Sequence, residues 1–252
     1  MSEVLLLFAG LFLPLFPLSM VFNEVFDRIR ETKLRIALLV VWPQIGIFIA
    51  YSFAEDIPGW LIGWALLTAL LYGFRALALR DLGLWISFFA TSAWAVLWIV
   101  MDNGGEFSQL IFYALGFSAP LAMLVLLSGE LEKRFGAAYT GLYGGLVETL
   151  PRFSGVLVMV ILAIIATPLF PAFTAMLSAI IGATSSSFTA AVAVSIVWLL
   201  WGWAGARLIQ GLIVGPSRGE AQADLSMNTT WTYVAILSLL VISGIFSIGG
   251  VS

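Results

Sequence analysis

Apolar stretches of about 20 residues, the length a helix needs to cross a bilayer, recur along the chain with short polar joints between them. They run roughly over Val4–Phe22, Ile36–Ala54, Gly59–Ala78, Leu82–Met101, Phe107–Leu127, Phe153–Ile181, Phe188–Val214 and Thr232–Gly250. The pattern predicts an all-α membrane protein of about eight transmembrane helices. The sixth and seventh stretches are long enough to be tilted or broken. The longest gap, residues 128–152, is too short for a soluble domain.

Within this pattern one tetrapeptide repeats. Pro14-Leu15-Phe16-Pro17 sits midway along the first stretch, and Pro168-Leu169-Phe170-Pro171 midway along the sixth. A proline inside a helix removes a backbone donor and clashes with the carbonyl four residues back. Each pair therefore breaks a spanning helix near its middle. Lipid cannot satisfy the freed backbone groups, so such breaks line buried or water-filled regions. Paired breaks in corresponding positions are the sequence mark of a transport region in a repeat-built transporter.

Charge fixes the expected orientation. The 11 basic residues all fall in or beside alternate joints: Arg28, Arg30, Lys33 and Arg35; Arg75 and Arg80; Lys133, Arg134 and Arg152; Arg207 and Arg218. The joints around Glu55-Asp56, Asp102–Glu106 and Thr184–Ser187 have none. The positive-inside rule places the basic joints in the cytoplasm and both termini outside it. The two breaks then lie on antiparallel helices, as an inverted-topology repeat requires. Chance recurrence in an apolar chain is the alternative, and the opposed orientation argues against it.

Composition agrees: 62% of residues are hydrophobic and 10% charged, too apolar for a soluble domain. There is no cysteine and no histidine, so thiolate metal sites, disulfides and the commonest general base are excluded. No cofactor or metal is expected. Phosphate-binding loops and paired catalytic carboxylates are absent, so no active site for covalent chemistry is expected. The mixed charges of Asn23–Arg35 read as a solvated loop rather than a nucleic-acid patch.

Several segments resemble the antiporter-like, proton-conducting membrane subunits, a family that includes the large pumping subunits of respiratory complex I, the Mrp antiporter subunits and the membrane partner of DAB-type inorganic carbon accumulators. Leu13–Ser19 looks like the first broken helix of that family, whose pattern is K-x-P-x-x-P-x-H. Tyr72-Gly73 with Asp81-Leu82 resembles its Y-G and D-L-K. Gly129–Arg134 and Tyr143–Pro151 resemble its G-x-L-x-x-R and Y-G-G-L-x-x-x-x-P, and Ala163–Phe173 its second broken helix. The resemblance covers only the second half of a fourteen-helix protein. It implies a naturally shortened subunit, with residues 1–54 a remnant of the first inverted repeat and 55–252 the second repeat plus a C-terminal helix.

The resemblance also implies a proton path of buried Lys, His and Glu. Here the matching positions are Phe12, Ser19, Gln44, Gly83 and Met176, none of which titrates near neutrality. The transport region would comprise Pro14, Pro17, Gln44, Pro168 and Pro171. Candidate buried charges are Arg75, Glu148 and Arg152, against ordinary readings of snorkelling for Arg75 and a surface pair for the other two. Trp60 and Trp64 read as membrane-interface anchors. Ser185–Ser187 reads as an outer loop followed by a helix cap.

The favoured expectation is an accessory subunit of a proton- or cation-coupled complex in the cell inner membrane, with a weak lean to inorganic carbon accumulation. Its expected partners are other membrane subunits, chiefly a full-length relative, and a soluble carbonic-anhydrase-like or redox subunit. The alternatives are a proton-translocating subunit of a complex-I-like, Mrp-type or hydrogenase assembly, and an autonomous channel or transporter. The carbonyls freed near Ala9-Gly10 and Leu13 are expected to need cover from a partner chain, approaching over Gly46 and Ala50.

Overall fold

A computed structural model describes residues 2–53, 57–141, 144–216 and 222–248. Glu55, Asp56, Tyr143 and Arg218, used above, lie outside them. Among the described residues the helices are α1 (Ser2–Phe12), α2 (Ser19–Arg28), α3 (Thr32–Phe53), α4 (Gly59–Ala76), α5 (Leu82–Asp102), α6 (Phe107–Phe135), α7 (Leu146–Thr149), α8 (Pro151–Ile164), α9 (Pro171–Ser186), α10 (Phe188–Ile213) and α11 (Met227–Ile248). Six of these, α3, α4, α5, α6, α10 and α11, are each long and apolar enough to cross a membrane. The pairs α1–α2 and α8–α9 supply the two broken spans, so the chain is a multi-pass membrane protein of about eight spans.

Three boundaries differ from expectation. The first span runs on past Phe22 to Arg28, because Glu24 and Arg28 pair one turn apart at 2.6 Å and carry the helix beyond the apolar run. The fifth runs past Leu127 to Phe135, where Glu130 holds Arg134 at 2.6 Å and Lys133 at 2.9 Å. The outer loop at Ser185–Ser187 shrinks to Ser187 alone. Its hydroxyl accepts from the Ala190 amide and starts α10 immediately after α9.

The bundle is built around α5, which is apolar on every side and buried along nearly its whole length. It packs against α2, α4, α6 and α9. Trp85, Trp94 and Trp98 of this helix are all enclosed. By contrast α11 lies at the periphery and buries only Tyr233, Leu237 and Gly244.

The joints at the basic end are tied together. Thr140 N–H donates to Arg80 O at 2.8 Å, Gly141 N–H to Gly211 O at 2.9 Å, and Arg134 Nε to Ala223 O at 2.9 Å. The start of α8 has Pro151 in its first turn, which leaves the following amides without helical acceptors. Asp224 reaches across from the last joint and accepts from Arg152 N–H at 2.8 Å and Phe153 N–H at 3.1 Å.

Candidate functional site

The first break spans Leu13–Leu18; its first half is buried, while Phe16 and Pro17 are exposed. Leu13 and Leu15 are fully enclosed, and the Phe16–Pro17 peptide is cis. Several of its backbone groups are met within the chain. Leu15 N–H donates to Gly10 O at 2.9 Å and Phe16 N–H to Thr68 Oγ1 at 3.1 Å. Three tryptophans satisfy the carbonyls: Trp42 Nε1 donates to Leu11 O at 3.1 Å, Trp98 Nε1 to Leu13 O at 3.1 Å, and Trp64 Nε1 to Phe16 O. Trp64 thus caps a break, a role that its reading as an interface anchor missed.

These caps overturn the expectation that the break needs outside cover. An unpaired carbonyl in lipid costs several kcal/mol, but the indoles remove that cost from within the chain. Gly46 is likewise no bare landing place for a partner. A Cβ built there would lie 2.6 Å from Leu13 N and 2.9 Å from Phe12 C, so the missing side chain is what seats α3 against the chain's own break. Ala50 is fully enclosed as well.

The second break spans Ile165–Phe170. Ala166 and Leu169 take φ of 58° and 86°, a left-handed region that costs a non-glycine residue about 1–2 kcal/mol. Thr167 ties the end of α8 through its amide and hydroxyl, at 3.2 and 2.8 Å from Leu162 O. Trp198 Nε1 donates to Ile165 O at 3.1 Å. Counted from the repeated tetrapeptide, Ile165 and Leu11 are equivalent, each three residues before the first proline. Trp198 and Trp42 each sit on the unbroken helix that follows. The two breaks therefore share one device. Gly244 of α11 closes the second break: a Cβ there would lie 2.1 Å from Leu169 O.

The interior also holds three buried sets of uncharged hydrogen bonds. Ser19 and Tyr72 join through their hydroxyls at 2.8 Å. Asn23 Nδ2 donates to Ser19 O at 2.9 Å and its Oδ1 accepts from Thr91 at 3.3 Å. Trp201 Nε1 donates to Ser92 Oγ at 2.9 Å, which donates on to Ala69 O at 2.7 Å. Trp94 Nε1 donates to Ser118 Oγ at 3.2 Å. Such bonds fix helices against one another, and no Asp, Glu, Lys or Arg takes part in them.

The proline pairs define the breaks. Phe12 and Ser19 flank the first. Ser19 joins the hydroxyl network, and Phe12 packs on Trp42 with ring centroids 5.0 Å apart. Met176 is fully enclosed in α9, near the second break. Gln44 lies midway along α3, with both amide atoms buried and, among the described residues, no hydrogen-bond partner. Gly83 is elsewhere, in the first turn of α5 at the basic end.

Arg75, Glu148 and Arg152, the candidate buried charges, are exposed, in line with the ordinary readings set beside them. Arg75 lies over the Phe88 ring at 4.8 Å. Glu148 and Arg152 fall on separate helices, because Leu150 leaves helical geometry before Pro151. Among the described residues the buried cation is Arg35, which sequence reasoning placed in a joint. Its Nε donates to Ile29 O at 2.6 Å, and its guanidinium lies over Phe26 at 5.3 Å. It also comes within 3.5 Å of where a Cβ on Gly83 would be. A cation from α3 thus occupies the space beside the bare position on α5.

No family model and no curated protein matches the sequence. Solved structures do match in fold. A chain of respiratory complex I from Thermus thermophilus aligns with a TM-score of 0.87 at 21% identity, over 98% of this chain and 54% of that one. A chain of the Mrp complex from a Dietzia species aligns at 0.82 and 15% identity, over 98% and 56%. A chain of the archaeal membrane-bound sulfane sulfur reductase aligns at 0.75 and 17% identity, over 96% and 51%. The chain has the fold of an antiporter-like membrane subunit and spans about half the length of these relatives.

Proposed function

We propose that the chain is an accessory membrane subunit of a proton- or cation-coupled complex, occupying the place of half an antiporter-like subunit without conducting protons itself. The observation that carries this is the chemistry of the interior. Both breaks are held by indoles and hydroxyls, and no Asp, Glu, Lys or Arg lies between Arg152 and Arg207, the stretch that contains the second break. Relatives found in respiratory and Mrp complexes support a multi-subunit setting. Nothing among them favours inorganic carbon accumulation or a carbonic-anhydrase-like partner, and the proposal does not depend on either.

The shared tryptophan device supports reading residues 1–54 as the remnant of a first repeat and 55–252 as the second. The proposed orientation puts the basic end in the cytoplasm and both termini outside. A second reading, a proton-moving subunit of a respiratory or Mrp-type complex, draws on the same relatives and on the hydroxyl network of Ser19, Tyr72, Asn23 and Thr91.

Two measurements separate the readings. A tagged chain extracted in mild detergent should co-purify with other membrane subunits, identified by mass spectrometry. Reconstituted alone in liposomes, it should give no proton flux under a pH gradient. Flux abolished by Ser19→Ala or Thr91→Val would establish the second reading. A monodisperse chain that co-purifies with nothing would end the accessory reading.

A further inference from the structure

At the basic end a cavity of about 510 Å³ opens between the C-terminal parts of α4 and α10. Trp85 of α5, itself enclosed, contributes to its lining, and Leu77, Ala204 and Leu208 make apolar wall. Arg80 and Arg207 are the two cations in the lining. Both are exposed, and neither has an ion-pair or hydrogen-bond partner for its guanidinium among the described residues. Elsewhere at this end Arg28, Lys133 and Arg134 are paired with carboxylates.

The position relative to the membrane decides what fits. Arg207 lies six residues before the end of α10, about 9 Å inside it at 1.5 Å per residue. On the same helical face, toward the membrane centre, lie the exposed side chains of Trp203, Leu199 and Ile196. Spacings of four, four and three residues put them in line with Arg207. An apolar track thus leads up to a pair of free guanidiniums at the depth where hydrocarbon meets headgroups.

We infer that this cavity binds an acidic phospholipid, with the phosphodiester between Arg80 and Arg207 and an acyl chain along the Ile196–Trp203 track. Guanidinium forks match phosphate oxygens in geometry and charge. Basic pockets between helices at a membrane face are suited to anionic headgroups. The inference does not depend on whether the chain conducts protons.

The test is native mass spectrometry of the full chain in detergent, titrated with phosphatidylglycerol or with phosphatidylcholine of the same acyl chains. Phosphatidylglycerol should bind at least tenfold more tightly. The double variant Arg80→Ala/Arg207→Ala should weaken it by about twenty-fivefold, taking about fivefold for each interfacial cation. The control Arg30→Ala/Lys33→Ala removes equal charge outside the cavity and should leave binding within a factor of two or three. Excess inorganic phosphate should not displace the lipid. Equal binding of the two lipids, equal loss in the control, or displacement by inorganic phosphate would each overturn the assignment, the last by marking a site for soluble anions.

Discussion

Replacing Trp98 with phenylalanine tests the idea that indoles hold the first break. Trp98 and its acceptor Leu13 are both fully enclosed, and the bond is 3.1 Å long. The substitution leaves a buried carbonyl without a donor, which costs about 1–3 kcal/mol, and also leaves a small cavity. Trp94→Phe is the matched reference. Trp94 is enclosed on the same helix one turn earlier, so its cavity term is similar, but its partner is the Ser118 hydroxyl at 3.2 Å. A hydroxyl can rotate to donate to a carbonyl one turn back and so remain satisfied. The difference between the variants therefore isolates the orphaned carbonyl. At about 2–4 °C per kcal/mol for a chain of this size, Trp98→Phe should melt roughly 2–12 °C below Trp94→Phe by intrinsic fluorescence in detergent. Amide exchange at Leu15 and Phe16 should quicken in Trp98→Phe alone. Equal melting temperatures and unchanged exchange would refute the capping argument.

Other expectations follow from the same contacts. Gly46→Ala drives a methyl into the Leu13 backbone and should cost about 1–3 kcal/mol or more. Gly63→Ala, with nothing within 4 Å of the new atom, should be neutral or stabilise by about 0.5–1 kcal/mol; thermal unfolding of the pair checks both. Asp224→Ala removes the acceptor for Arg152 and Phe153 at the start of α8 and should cost about 0.5–2 kcal/mol, with Asp224→Asn recovering most of it. The chain has no cysteine, so single cysteines report sidedness cleanly. Ser185→Cys should react with an impermeant thiol reagent in intact cells and Glu132→Cys only after lysis, and the opposite result would invert the proposed orientation.

Much of the fold could be read from residue order because membrane helices carry their signal locally. Apolar length located the eight spans, and proline located the breaks. What escaped was set by distance along the chain. Trp98 lies 85 residues from the carbonyl it caps, and nothing in the sequence near Leu13 points to it. Trp64 has the composition and position of an interface anchor, and only the packed structure turns it toward Phe16. Gly46 invited a reading as open surface, because a missing side chain looks the same from sequence whether it faces a partner or the chain itself. Arg35 was grouped with neighbouring loop cations, although α3 begins three residues before it and carries it inward. The extra turns of α2 and α6 were missed because their helices continue on paired charges after the apolar residues stop.

The tryptophan caps bear on what the shape of a broken helix depends on. A broken helix whose carbonyls are met by water or a passing cation depends on that traffic for its shape, so removing the traffic leaves polar groups stranded. Here the acceptors are met by side chains that never leave. Uncharged side chains such as Phe12, Ser19, Gln44 and Met176 can then stand near the breaks without the scaffold giving way. With the caps built into the chain, the form of each break is set independently of any ion or water that passes beside it.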